Sequence, residues 1–156
     1  MSQLMDLVAG DSREILLAIG VDDRAGLDDR SRFAAHLQLG AGLDPTWLDL
    51  FSEAVRHVTG AEHPEDFIDA RSELDGPADV GERTVERIDR RWVEAVAEIS
   101  DADVDRVAGR WLDLLSEELG ELPREEKPWI RQLASDIVGF TRDAAGAKDV
   151  LFAWSL

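Results

Sequence analysis

The stretch "DPTWLDLFSEAVRHVTG", residues 44–60, constrains the fold more than any other. Asp44 suits an N-cap, and Pro45 suits the first helical position, where its fixed φ is pre-organised and its missing N–H is not needed. Trp47, Phe51, Val55 and Val58 recur at helical spacing, with Leu48 and Ala54 beside them, so one face is apolar. Gly60 supplies the stop. A helix of this kind owes its stability to burial of that face. The rest of the chain must therefore build a core against it.

Three further helices are expected. Asp89 precedes "RRWVEAVA", with Trp92, Val93, Val96 and Ala97 inward. Ser100 or Asp101 caps the next, whose stripe is Val104, Val107, Ala108, Trp111, Leu115 and Leu119, closed by Gly120. In "LPREEKPWIRQLASDIVGFTRDAAG" (122–146), Pro128 starts or bends a helix whose face is Trp129, Leu133, Ile137 and Phe140. Strands are expected at both ends of the chain. "REILLAIGV" (13–21) reads as a strand buried on both faces. "RFAAHLQLG" (32–40) alternates, with Phe33, Ala35, Leu37 and Leu39 on one side and His36 on the polar side, and should pair with it. "RTVERI" (83–88) suggests a short strand. "DVLFAWSL" (149–156) suggests a terminal one, with Val150, Phe152 and Trp154 on one side, pairing with one of the first two. Between residues 61 and 82 a Pro-, Gly- and acid-rich connection is pinned by Phe67 and Ile68. The expected fold is a single α+β domain over 1–156. Its small mixed or antiparallel sheet, an N-terminal hairpin plus the C-terminal strand, is covered by about four helices.

At 156 residues, 44% of them hydrophobic, the chain can build a core without staples. It has no cysteine, which removes disulfides, thiolate metal sites and cysteine nucleophiles. No apolar run approaches the ~20 residues of a membrane span. "MSQLMDLVAGDSRE" lacks the basic and apolar regions of a secretory signal, so a cytoplasmic location is expected. The formal net charge is -17, from 34 acidic and 17 basic residues, only Lys127 and Lys148 being lysines. Such a surface disfavours nucleic acid and anionic membranes, which need basic patches, and permits a basic protein partner.

Several stretches resemble sites and fail on chemistry. In "LGAGLDPTW" a G-x-G lies before a helix, but Pro45 stands where a dinucleotide fingerprint needs glycine. A capping Asp44 would also place a carboxylate where a phosphate must bind. "DADVD" (101–105) alternates like a calcium loop, yet Arg106 and Leu112 occupy the positions that need glycine and glutamate. His57 and His63 lie near Glu62, Glu65 and Asp66 without a metal-ligand spacing, and His36 has no evident Ser or Asp partner in sequence. No catalytic residue, cofactor or metal is assigned. The five tryptophans fall on apolar stripes and read as core, the alternative being that Trp129 and Arg131 are exposed for recognition. The candidate partner-binding residues are Glu117, Glu118, Glu121, Glu125 and Glu126 in the inter-helix turn "SEELGELPREEK", with Asp22, Asp23, Asp28 and Asp29 in the loop "DDRAGLDD".

Leu43-Asp44-x-x-Trp47, Val58-Thr59-Gly60 with Pro64 and Phe67 beyond it, "ERIDRRWVEAVAEIS" and "GFTRDAAGAKDVLFAW" together resemble the YfbM-like family, bacterial proteins of unknown function. The resemblance covers residues 37–156 in pieces and implies an α+β fold, with no activity attached. Family members tend to carry histidines where this chain has Leu48 and Phe51, so any role of those histidines does not transfer. The expected function is a non-catalytic interaction or immunity-type module that binds a basic protein. The alternative is a small enzyme or ligand binder with a pocket between sheet and helices, marked by His36 or His57 beside a carboxylate.

Overall fold

The computed structural model describes residues 5–21, 23–39, 45–73, 79–80 and 83–154. The protein is α+β, and the chain divides into two compact units, each assembled from separated segments. The first contains residues 1–43, 71–90 and 143–156; the second contains 44–70 and 91–142.

The first unit is built on a six-stranded antiparallel sheet. Its strands are β1 (Met5–Gly10), β2 (Ala35–Leu39), β3 (Arg71–Glu73), β4 (Asp79–Val80), β5 (Arg83–Ile88) and β6 (Asp149–Trp154). The order is β2-β1-β6-β5-β3, with β4 also on β5. β6 is central, and Val150, Leu151, Phe152 and Ala153 are all buried. Burial on both faces explains why its sequence is apolar without alternation.

Two helices, α1 (Ser12–Gly20) and α2 (Arg24–Leu27), belong to this unit. The stretch 13–21, expected as a strand, is the helix α1. Asp11 caps it, accepting from the backbone N–H groups of Arg13 at 2.9 Å and Glu14 at 3.4 Å. Ile15, Ala18 and Ile19 are buried at i, i+3, i+4 spacing, whereas Leu17 is 63% exposed. They form one core with Val8, Leu27, Phe33, Val85, Leu151 and Ala153. The N-terminal hairpin is consequently β1 with β2, through pairs such as Leu7↔Leu37, and β1 was not anticipated. The terminal strand β6 pairs with β1 and β5, and with neither of the two segments first read as strands. Within 22–29, expected to be irregular, the chain forms the short helix α2.

The second unit is helical. The four expected helices are α3 (Pro45–Thr59), α5 (Arg90–Ala97), α6 (Asp101–Leu119) and α7 (Glu126–Ala144), joined by the short α4 (Phe67–Ala70). Gly60 and Gly120 end α3 and α6 at φ of 72° and 86°, in the left-handed region that favours glycine. Aromatic rings fill the core. Phe51 stands edge-on to Trp111 with centroids 5.1 Å apart, and Phe67 edge-on to Trp92 at 5.2 Å. The indole N–H of Trp92 donates to Ser52 Oγ and that of Trp111 to the Trp47 carbonyl, each at 2.9 Å, so neither buried tryptophan leaves a donor unpaired. Leu48 and Phe51, at the positions where the resembled family carries histidine, are buried in this core. Three expectations fail here: Ile68, Leu119 and Trp129 are exposed. Of the two residues expected to pin the 61–82 connection, Phe67 is buried and Ile68 is not, although the Ile68 N–H donates to Asp49 at 2.7 Å. No helix among the described residues is long and apolar enough to cross a membrane.

Candidate functional site

The most concentrated chemistry lies on the sheet face beneath α2. Asp6 on β1 pairs with Gln38 on β2, and Val8 pairs with His36. Asp6 and His36 are therefore diagonal neighbours on one face. Ala153 on β6 lies opposite both Asp6 and Val85, which places Arg83, two residues before Val85, on the same face across the central strand. α2 brings Arg24 and Asp28 from above, its position fixed by the burial of Leu27 and by Asp23, which accepts from Gly26 N–H at 3.0 Å.

The Asp6 carboxylate is fully enclosed. It accepts two parallel bonds from Arg24, at 2.9 and 3.0 Å, and one from Arg83 at 2.5 Å. The same Arg83 nitrogen also donates to the Ala153 carbonyl at 3.0 Å. His36 completes the set, with Nε2 2.7 Å from Asp6 Oδ1 and Nδ1 2.7 Å from Asp28 Oδ1. A neutral imidazole offers one donor and one acceptor, and a carboxylate only accepts. Two carboxylates on the two ring nitrogens therefore require the imidazolium. Three cations and two carboxylates then meet around the enclosed Asp6 and His36 side chains.

The pKa directions follow from these contacts. For Asp6, burial is the largest single effect and pushes the carboxyl up; the bonds from His36, Arg24 and Arg83 together outweigh it and hold the group well below the usual carboxylate range. For His36, burial again acts most strongly and disfavours the charged ring. The bonds to Asp6 and then Asp28 prevail, and the imidazolium persists above its ordinary value. The His36 side chain is only 4% exposed, and both ring nitrogens are engaged. In this doubly protonated, enclosed form it has no free lone pair, and the arrangement is an ion cluster. Sequence reasoning placed His36 on a polar face without partners; its partners are Asp6, in an unread strand, and Asp28.

The described acids of the 22–29 segment, Asp23, Asp28 and Asp29, are engaged internally. Asp23 caps α2 and meets Arg32 at 3.2 Å. Asp28 holds His36. Asp29 accepts from both the hydroxyl and the N–H of Ser31, bonds that lower its pKa. Asp22 lies outside the described residues, as does the turn at 40–44 with its proposed cap.

The other acidic stretch is different. Glu117, Glu118, Glu121, Glu125 and Glu126 are all exposed, and none forms an ion pair among the described residues. Leu119, the last residue of α6, is 54% exposed, and Trp129, near the start of α7, is 41% exposed. Large apolar side chains thus accompany unpaired carboxylates there.

An open groove of about 790 Å³ runs along α6 and α7. Its charged residues already pair: Arg142 hydrogen-bonds Asp101 at 2.6 Å, and Arg131 forms a looser ion pair with Asp105 at 3.7 Å. Arg142 also donates to the Ile99 and Ala97 carbonyls, closing the end of α5. No histidine lines the groove. The acids of 101–105 act at the α6 N-terminus, where carboxylates complement the helix dipole. His57 and His63 are both exposed, and among the described residues no group of three His, Asp or Glu side chains is placed to hold a metal ion. No protein-family model, curated protein or solved structure matches the chain.

Proposed function

We propose that this chain is a non-catalytic protein-interaction module, of the immunity type, that presents an acidic surface to a basic protein in the cytoplasm. One observation carries the reading: five exposed glutamates with no ion pair among the described residues, together with the exposed Leu119 and Trp129, fall between residues 117 and 129, from the end of α6 to the start of α7. Interfaces concentrate their energy in a few aromatic anchors and use surrounding charge to steer and select the partner. The net charge of -17 supports a basic partner and opposes nucleic acid. His36 does lie beside carboxylates, but as an enclosed member of an ion cluster and not in a cleft, which favours the interaction reading over a small enzyme. The resemblance to the YfbM-like family is compatible with this reading and adds no activity to it.

The experiment is capture of a partner with the intact protein, followed by association and dissociation rates against salt. Joint reversal by Glu117→Lys, Glu118→Lys, Glu125→Lys and Glu126→Lys should slow association and flatten its salt dependence, since rim charges act on the on-rate. Trp129→Ala should instead speed dissociation, by about 30-fold if it is an anchor worth roughly 2 kcal/mol. Rates indifferent to salt and to both changes would reduce the acidity to a solubility device.

A further inference from the structure

The Asp6–His36–Asp28 chain joins groups of very different exposure. The Asp6 side chain is 0% and that of His36 4% exposed, whereas that of Asp28 is 69% exposed. Asp28 directly follows α2, so its bond to Nδ1 fastens that helix to β2. The other charged fastening is Arg24 on Asp6, which Arg83 reaches from β5. These four are the charged groups facing His36 and its partner, from β1, α2 with its flank, and β5.

We propose that α2 with Asp28 is a proton-operated flap on the sheet: the doubly protonated His36 clamps it shut, and loss of one ring proton releases Asp28 and lets the helix lift. The asymmetry of exposure decides which bond breaks. A neutral ring keeps one N–H. Asp6, sealed from water and surrounded by two guanidinium groups, cannot give up its donor cheaply. Asp28 can turn to solvent at little cost. The neutral ring therefore keeps Nε2–H on Asp6 and presents a lone pair at Nδ1 to the Asp28 carboxylate, which is repelled. α2 then still has Arg24 on Asp6, the Asp23–Arg32 ion pair at its head and the contact of Leu27 with the core, which set the cost of lifting. Lifting would free acids of the 22–29 segment that are otherwise internally bonded. The raised His36 pKa places the opening on the alkaline side of the ordinary imidazole value.

Amide exchange in the full chain tests this, with the His36 ring protons followed by NMR at each pH and rates corrected for base catalysis. The reporters are Leu27 N–H, bonded to the Asp23 carbonyl, and Asp29 N–H, bonded to the Gly26 carbonyl. Their protection should fall as His36 loses its proton, in full by tenfold for each unit its pKa with α2 closed exceeds its pKa with α2 lifted, while amides of β1 and β6 stay protected. Asp28→Asn retains the buried Asp6–His36 pair; in it the α2 amides should exchange faster at neutral pH and the alkaline step should vanish. The inference is overturned if α2 protection stays constant while His36 titrates, if Asp28→Asn keeps the wild-type step, or if His36 holds both protons until the whole sheet unfolds.

Discussion

Asp6 makes no contact with water, yet four hydrogen bonds from three cationic side chains end on its two oxygens. Removing one partner from a buried ion cluster leaves the others desolvated and uncompensated, which costs more than the cluster contributes. Asp6→Asn keeps the shape and removes the charge, stranding Arg83 and the His36 imidazolium. It should destabilise the protein by about 3–5 kcal/mol, read as a shift in the urea unfolding midpoint. A loss within the ~0.5 kcal/mol typical of surface substitutions would show that the cluster is not held as described. None of this was legible in the sequence. Asp6 and His36 are separated by a turn and two helices, and only strand register makes them neighbours. The alternation of 32–40 correctly placed His36 opposite the apolar face, but a polar sheet face reads as solvent until something is known to cover it. Here α2 covers it.

Among the elements, α1 separates the two ways of reading an apolar run. In "REILLAIGV" a strand would group residues 15, 17 and 19, whereas a helix groups 15, 18 and 19. Short runs so rich in apolar residues satisfy both periods. The signal that decides between them was present just upstream: Asp11 followed three residues later by Glu14 is a helix N-terminus signature. Ile15→Ala should therefore cost about 2–5 kcal/mol, as a buried truncation, and Leu17→Ala should fall within about 0.5 kcal/mol. Equal costs in thermal or urea unfolding would restore the strand. The longer helices of the second unit were legible where a start or stop residue accompanies a long stripe, as with Pro45 and Gly60 on α3 and Gly120 on α6, whereas the four-residue α4 has no such stripe and falls inside the expected 61–82 connection. The stripes misled only at helix ends, where Leu119 and Trp129 keep the period but reach past the core that the period implies.

For the whole molecule, the account rests on His36 being an enclosed cation committed to two carboxylates, with recognition left to the acidic surface. That claim has a signature in stability against pH. The Asp6 carboxyl is lowered by folding, so its contribution is present above the ordinary carboxylate range and is lost as pH falls toward its folded value. The His36 pKa is raised, so its contribution is complete below the ordinary imidazole value and is lost as pH rises through the folded one. Stability should be greatest between those limits. Self-repulsion at a net charge of -17 also grows with pH, but this applies equally to a His36→Gln variant. The direct measurement is the unfolding free energy of both proteins by urea titration from pH 5 to pH 9. The wild type should lose stability relative to His36→Gln as pH passes above the ordinary imidazole value, the gap between them closing toward pH 9. Two parallel profiles, or a wild type that gains on the variant over that range, would contradict the account.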